Sequence, residues 1–336
     1  MKIGKQTWRY QSSIYLSSTG TCAGPLEKKG PLGNSFDKTY NELRCGEKNW
    51  EAAERLLMRE AISICLKNIY KKPEDMDFFM AGDLLNQTVT SNVIAGELKI
   101  PFLGMFGACS TSMETLAIAS QFVDSGYANY VLTAVSSHNA TAERQFRYPT
   151  EYGGPKPKTA TFTATGAGAS IVSKDPSPIR IKEATIGRVM DWGINDANDM
   201  GSAMAPAAAD TIACHLSDTG RQPSDYDMIV TGDLSSVGSP IVRQILWEKG
   251  YDVGGIHQDC GLMLYSPEQP VSAGGSGAAC SALVTYGYIA NQLKSGALKR
   301  VLVVATGSLH NPTLVQQKET IPCVAHGVVL ESVGGE

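Results

Sequence analysis

The sequence predicts an α/β fold made of two similar halves, and three observations carry that expectation. A segment recurs: Pro73 to Leu84 (PEDMDFFMAGDL) returns as Pro223 to Leu234 (PSDYDMIVTGDL), with proline, aspartate and glycine in step 150 positions apart, as Asp77 and Asp227 show. Apolar strand-like runs alternate with helix-like periodic stretches, the pattern of largely parallel sheets covered by helices on both faces. The composition, 43% hydrophobic and 18% charged with 34 glycines spread along the chain, is that of a packed globular protein and excludes a disordered or collagenous one. At 336 residues the chain can form two domains or one large fused body. A Lys-Asp-Pro-Ser-Pro break at 174 to 178 divides it into halves of 1–177 and 178–336.

Taken in order, Ser18 to Arg44 is rich in Gly, Pro and Lys and reads as an ordered loop. Trp50, Ala53, Leu57, Ala61, Cys65 and Ile69 recur at spacings of three and four, which predicts an amphipathic helix. Phe78 to Ala81 and Pro101 to Phe106 are short apolar runs ending at glycine, the pattern of buried strands that deliver loops. Met113, Leu116, Ala117, Ser120 and Val123 form one face of a second helix, and Tyr130 to Val135 is again strand-like. The segment Asn139 to Pro157 is long, polar and aromatic and reads as a functional loop. Thr159 to Val172 resumes as a strand of small residues. The second half predicts a strand over Ile179 to Arg188, a helix over Ser202 to Leu216, a strand over Met228 to Val230 and a helix over Ile241 to Glu248. A helix over Gly277 to Leu293, a strand over Val301 to Thr306 and a strand pair around Ile321 to Glu331 complete it.

Charge and cysteine usage exclude several functions. A net charge of −4 without a block of Lys or Arg argues against nucleic acid as a main partner. The eight cysteines contain no CxxC pair, so neither a zinc knuckle nor a thioredoxin-type motif is present, and a reducing compartment fits best. His257-Gln258-Asp259-Cys260 offers three metal-ligand types, but four consecutive residues cannot easily converge on one ion. No signal-like start and no apolar run of about 18 residues occurs, so the chain reads as neither secreted nor membrane-spanning.

The candidate site starts from Cys109. Gly107-Ala108-Cys109-Ser110 is matched 170 positions later by Gly277-Ala278-Ala279-Cys280, so about 20 extra residues lie between Leu234 and Gly277. Cys109 stands where a strand hands over to a helix, near unpaired amides and the positive end of the helix. That setting is expected to lower a thiol pKa and make a nucleophile.

Three motifs resemble the thiolase and β-ketoacyl synthase superfamily: Gly107-Ala108-Cys109-Ser110-Thr111-Ser112, Gly166-Ala167-Gly168-Ala169 and Gly274-Gly275-Ser276-Gly277-Ala278-Ala279. The resemblance implies a five-layer αβαβα fold of two duplicated β-α-β-α-β-α-β-β halves, with Cys109 at the nucleophile position. It also implies that the partners are missing. Gly232 stands where the synthases carry a histidine, and Gly274 where a histidine or asparagine is expected. Cys323-Val324-Ala325-His326-Gly327 is similar to the late-cysteine turn of thiolases. Losing one catalytic donor typically costs about 10²- to 10³-fold in rate, so the pattern implies an abandoned reaction and a retained vestigial Cys109.

Three further runs, 136–154, 199–210 and 321–327, resemble a family of sporulation proteins of spore-forming bacteria within that superfamily. This resemblance implies a cytoplasmic protein of the forespore or mother cell, peripheral to the inner spore membrane, that joins other proteins of a membrane-associated assembly. Its implied role is to bind dipicolinic acid, alone or with calcium, for uptake into the developing spore. Such a flat dianion needs fixed donors, cations and a slot of small residues. Amides near Cys109 and Gly277 are expected donors. Arg144, Arg147, His138, His257 and His326 are expected to supply charge, and Ser202, Ala203 and Met204 the slot, beside Gly232, Asp233, Gly274 and Gly275. The sequence shows no calcium site and implies no cofactor or resident metal. A homodimer through the first-half sheet is compatible with the superfamily. Two other readings stand beside this one: an active acyl-transferring cysteine enzyme with a relocated base, and a structural scaffold subunit.

Overall fold

A computed structural model of the chain describes residues 1–146 and 156–335. The first half contributes β1 (Thr7–Ala23), α1 (Trp50–Lys67), β2 (Phe78–Gly82), α2 (Val89–Leu98), β3 (Phe102–Gly104), α3 (Thr111–Asp124), β4 (Tyr130–Ser137), α4 (Asn139–Phe146) and β5 (Gly166–Ser173). The second contributes β6 (Ile179–Thr185), α5 (Met200–Thr219), β7 (Met228–Thr231), α6 (Ser235–Glu248), β8 (His257–Asp259), α7 (Ala278–Leu283), β9 (Arg300–Ser308) and β10 (Cys323–Ser332). The ten strands lie in the order β8-β7-β9-β10-β6-β1-β5-β4-β2-β3. Read outward from the β6–β1 pair, the order is the same in both directions. The recurring segment therefore occupies equivalent places.

The repeat extends to single hydrogen bonds. Asp75 and Asp225 each accept from the amide three residues before them, at 2.8 Å in both copies, and close a 3₁₀ turn. Asp77 then accepts from the amides of Asn129 and Tyr130, and Asp227 from those of Lys299 and Arg300, which pins the parallel neighbours β4 and β9 to β2 and β7.

Strand alternation sorts the core into three apolar layers. On β9, Val301, Val303 and Ala305 face a central layer, while Leu302 and Val304 face an outer one under α5. On β4, Val131 and Val135 point centrally, and Leu132 and Ala134 point to the outer layer under α1. Helices α3 and α7 fill the middle, so the layers run αβαβα. The two central helices touch at Ser112 and Ser281, whose hydroxyls are 2.8 Å apart.

Several elements differ from the sequence expectation. Residues from Ser18 to Ala23 belong to β1, a 17-residue strand paired with β5 on one side and β6 on the other. Its Ser, Thr and Gly content disguised it, yet small residues are required there: a Cβ on Gly20 would lie 2.2 Å from the Ala61 carbonyl oxygen of α1. The start of the expected 139–157 loop is helix α4, built of good helix formers, with Thr141 and Ala142 buried. Helix α6 begins at Ser235, six residues before the expected start. His257 to Asp259 form an edge strand, parallel to β7. The expected last strand pair is the single strand β10, antiparallel to β9.

Candidate functional site

A tight turn after β3 fixes Cys109. Ala108 adopts a left-handed φ of 52°, a conformation unusual for a residue with a side chain. The Ser110 hydroxyl donates to the Gly107 carbonyl at 2.6 Å, and the Thr111 hydroxyl donates to that of Ala108 at 2.7 Å. From the second half, β9 presses directly on the turn, since a Cβ on Gly307 would lie 2.1 Å from the Gly107 oxygen.

Asp233 is a buried carboxylate beside Cys109. It accepts from the Gly277 amide (3.0 Å) and from the Thr306 hydroxyl (2.6 Å). Burial outweighs these donors and pushes its pKa up to about 7. Burial, then the Asp233 charge, drives the Cys109 pKa well above that of a free thiol. The expected activation by the helix start is therefore reversed: burial and the neighbouring carboxylate keep the sulfur a thiol. Cys323 lies close by, with its own thiol pushed up to about 12 by burial.

The two glycines at the expected catalytic positions are closed by packing. A Cβ on Gly232 would lie 2.8 Å from the Thr306 amide nitrogen and 3.1 Å from the Ala305 Cα, both backbone atoms of β9. Gly274 has φ +133°, and a Cβ there would lie 2.7 Å from the Ser235 hydroxyl. Neither position has room for an imidazole without moving its neighbours.

A narrow chamber opens beside Cys109. Its apolar wall comes from Leu84, Phe106, Ala108, Ala142, Phe146, Ala197 and Met200. Thr163, Ser276, Ser308, Glu143 and His310 add polar groups. Glu143 forms an ion pair with Lys156 at 2.7 Å. The mostly apolar lining with few polar groups is that of a small-molecule site.

Of the residues proposed from sequence, Cys109 lines this chamber and Asp233 supports it from behind. The histidines are used elsewhere. His138 donates from Nε2 to the Leu43 carbonyl (2.8 Å) and accepts the Ala140 amide at Nδ1 (3.1 Å). His257 lies between Thr231 and Arg243, and burial followed by the Arg243 charge lowers its pKa to about 4. His326 accepts the Gly187 amide at Nδ1, and burial lowers its pKa to about 4. Arg144 pairs with Glu51 and stacks over Trp50, away from the chamber. Arg147 lies outside the described residues.

The slot proposed at Ser202, Ala203 and Met204 is displaced by a turn. The Asp199 side chain caps α5 by accepting the Ser202 amide (3.2 Å), while Ala203 and Met204 face the outer core. Ala197 and Met200, just before them, reach the chamber instead. Gly274 and Gly275 stand behind Ser276 and Gly277, which line it. Two amides near the helix start are also committed, Gly277 N to Asp233 and Ala279 N to the Ser137 hydroxyl (3.1 Å). Asp259 spends its oxygens on Thr231 and on the amides of Leu234, Ser235 and Gly261. No metal-binding group of three or more His, Cys, Asp or Glu occurs among the described residues.

Sequence reasoning missed Ala142, Phe146, Met200, Ser308 and His310. The first two sit in a run singled out as unusual but read as a loop. His310 follows β9 in a connection without any motif.

A protonated, enclosed Cys109 has a direct chemical consequence. Under native conditions near neutral pH, iodoacetamide is expected to modify Cys214, the least buried of the eight cysteines, before Cys109. Peptide mass spectrometry against time checks this, and rapid selective labelling of Cys109 would show a reactive thiolate and overturn the assignment.

Comparison with known proteins places this geometry in context. A family model described as stage V sporulation protein AD matches residues 4–331. The chain is 62% identical over 336 residues to stage V sporulation protein AD of Bacillus subtilis (strain 168), covering 100% of this chain and 99% of that protein. Among solved structures it is similar to 3-oxoacyl-[acyl-carrier-protein] synthase III from Aquifex aeolicus, with TM-score 0.57 and 16% identity over 95% of this chain and 100% of that one. It is also similar to cerulenin-bound OleA of Xanthomonas campestris, with TM-score 0.60 and 14% identity over 96% and 100% of the two chains. At such identities the structural likeness concerns the fold, that of the thiolase and β-ketoacyl synthase superfamily.

Proposed function

The chain belongs to the stage V sporulation protein AD family, and from that premise we propose that it is a non-catalytic binding protein for dipicolinic acid. In this reading the chamber beside Cys109 holds the ligand, and the protein supports its uptake into the developing spore as a peripheral member of an assembly at the inner spore membrane. Among the described residues no helix is long and apolar enough to cross a membrane. The observation that carries the reading is the combination of an open chamber with closed catalytic positions. The space a base would need at Gly232 is filled by the backbone of β9, while a narrow, mostly apolar chamber persists beside Cys109.

Isothermal titration calorimetry with dipicolinic acid, and with an isomeric pyridine dicarboxylate as control, tests it. Saturable binding of dipicolinic acid is expected, weaker by about tenfold or more for the isomer. Cys109→Ala is expected to retain affinity within about threefold, because burial keeps the sulfur an uncharged thiol that offers little to an anion. Ala142→Phe projects a ring from α4 into the chamber and is expected to weaken binding by about 100-fold or more. Absence of heat with the unmodified protein overturns the proposal.

The position of Cys109 on the chamber wall favours one second reading, acyl transfer with a relocated base. That reading requires a covalent acyl adduct on Cys109 after incubation with an acyl-CoA. We expect the intact mass to remain unchanged.

A further inference from the structure

The two helices that border one surface groove end on residues unsuited to the backbone there. The groove lies between α1 and α2, with buried Ile62, Leu66 and Ile94 beneath it and Lys67, Tyr70, Lys71 and Lys72 along its rim. Tyr70, just beyond α1, has φ 56°, and Lys99, just beyond α2, has φ 58°. Such left-handed conformations strain a residue with a side chain and suit glycine.

The second half supplies an internal comparison. The 150-residue offset pairs Tyr70 with Gly220 at the end of α5. The turn itself is the same: the Lys71 amide donates to the Leu66 carbonyl (3.0 Å), and the Arg221 amide to the Leu216 carbonyl (3.1 Å). Helix α6, the counterpart of α2, also has a glycine at its left-handed position, Gly250. Gly220 and Gly250 have φ of 70° and 88°, with nothing within 4 Å of where a Cβ would stand. Glycine is thus the unstrained choice, and the first half departs from it at both helix ends. Packing within the chain does not offset the strain at Tyr70, which is 94% exposed. A strained, protruding aromatic residue of this kind calls for a contact made outside the chain.

The surroundings of Tyr70 are cationic. Among the described residues Lys67, Lys71 and Lys99 form no ion pair, whereas Arg59 is held by Glu97 (2.7 Å) and Lys72 faces Glu74 at 3.9 Å. Asp75 and Asp77 are turned to backbone amides. Lys71 lies 4.4 Å over the Tyr130 ring, which sets this surface at the end of the sheet where β2 and β4 begin. A second exposed tyrosine, Tyr127, stands at that end with its ring against Phe122. Tyrosine among lysines suits a lipid–water interface, where the ring sits at headgroup level and the ammonium groups meet anionic phosphates.

We infer that the ends of α1 and α2 dock the protein on an anionic lipid surface, with Tyr70 among the headgroups and Lys67, Lys71, Lys72 and Lys99 on their phosphates. The inference rests on the peripheral placement proposed above and not on the ligand. The protruding ring favours a bilayer, which yields to a tip, over an acidic protein partner, which would need a pocket to receive it.

Co-sedimentation of the full chain with vesicles of phosphatidylcholine alone, and of phosphatidylcholine with an equal part of phosphatidylglycerol, tests it. Binding to the anionic vesicles is expected to be tighter by about tenfold or more and to weaken as salt rises. Tyr70→Gly installs the residue that the second half uses, so thermal melts are expected to show a retained fold while vesicle affinity falls by about fivefold or more. Lys67→Glu is expected to weaken binding by about tenfold or more. Lys249→Glu, the same charge change at the end of α6, is expected to alter it by less than about twofold. No preference for anionic vesicles, unchanged binding by Tyr70→Gly, or equal losses for Lys67→Glu and Lys249→Glu overturns the inference. Calorimetry with dipicolinic acid on the same samples tells that failure apart from failure of the ligand reading: a protein that binds dipicolinate but prefers no anionic vesicle loses this surface alone.

Discussion

Gly232→His, the substitution that returns a histidine to the place where the synthases carry one, is expected to destabilise the fold severely and to restore no acyl transfer. The added Cβ would meet the Thr306 nitrogen at 2.8 Å and the Ala305 Cα at 3.1 Å. Those atoms belong to β9, which cannot retreat easily: it is paired with β7 on one side and β10 on the other, and Gly232 itself donates to Val304 at 3.0 Å. Overpacking of a core typically costs about 1–3 kcal/mol, and a collision with backbone rather than a rotatable side chain belongs at the upper end. Chemical denaturation of the variant should show a loss of about 3 kcal/mol or more, or an insoluble product. A soluble variant with unchanged stability would show that the position is merely vacant, and the acyl-transfer reading would regain ground.

Asp233→Asn is expected to gain stability relative to the unmodified protein as pH rises from about 4 to about 8. The sign follows from linkage. Asp233 has a folded pKa of about 7 against 3.8 for a free carboxyl, so between those values the folded state holds a proton that the unfolded state has released. Its contribution is complete below the lower value and is lost as pH climbs through the upper one. At about 1.4 kcal/mol per pKa unit the loss is on the order of a few kcal/mol. Asparagine, similar in shape to the protonated acid, does not titrate. The difference between the two proteins isolates this group from others that slope either way. Glu114, raised to about 7 by burial, has the same sign, whereas His215, lowered to about 3 by burial, loses stability as pH falls. Thermal melts of both proteins at pH 5 and pH 8 provide the check. A difference in melting temperature that stays constant with pH would mean that Asp233 ionises normally.

The duplicated architecture was legible because it rests on repeated local chemistry: a Pro-x-Asp turn, an aspartate that pins the neighbouring strand, and an apolar strand ending in Gly-Asp. Strand β1 escaped because its demand for small residues comes from α1, packed on it from 40 residues away, and not from its own periodicity. Helix α4 escaped because its buried residues, Thr141 and Ala142, are small or polar and show no apolar periodicity. At the site, Cys109 and Gly232 could be singled out, yet their states could not. That Gly232 is closed depends on how near β9 lies, and that the Cys109 pKa is raised depends on its burial and then on a carboxylate contributed by the other half. Histidines 138, 257 and 326 show how residue type alone misleads: each is absorbed by a neighbouring backbone or side-chain partner. His310 carried no signal, because nothing in its flanking residues reveals that a hairpin connection returns over the chamber.

The place of β1 in the middle of the sheet has a consequence for how the chain is made. It is the first long strand to be synthesised, but its partners β5 and β6 lie at 166–173 and 179–185. At ordinary elongation rates of about 5–20 residues per second, both of its long edges wait roughly seven to thirty-five seconds for their mates. An unpaired strand rich in valine or isoleucine would be an aggregation hazard for that interval. The serines, threonines and glycine of Ser12 to Thr21, which let α1 approach closely in the finished protein, also keep the nascent strand soluble while it waits.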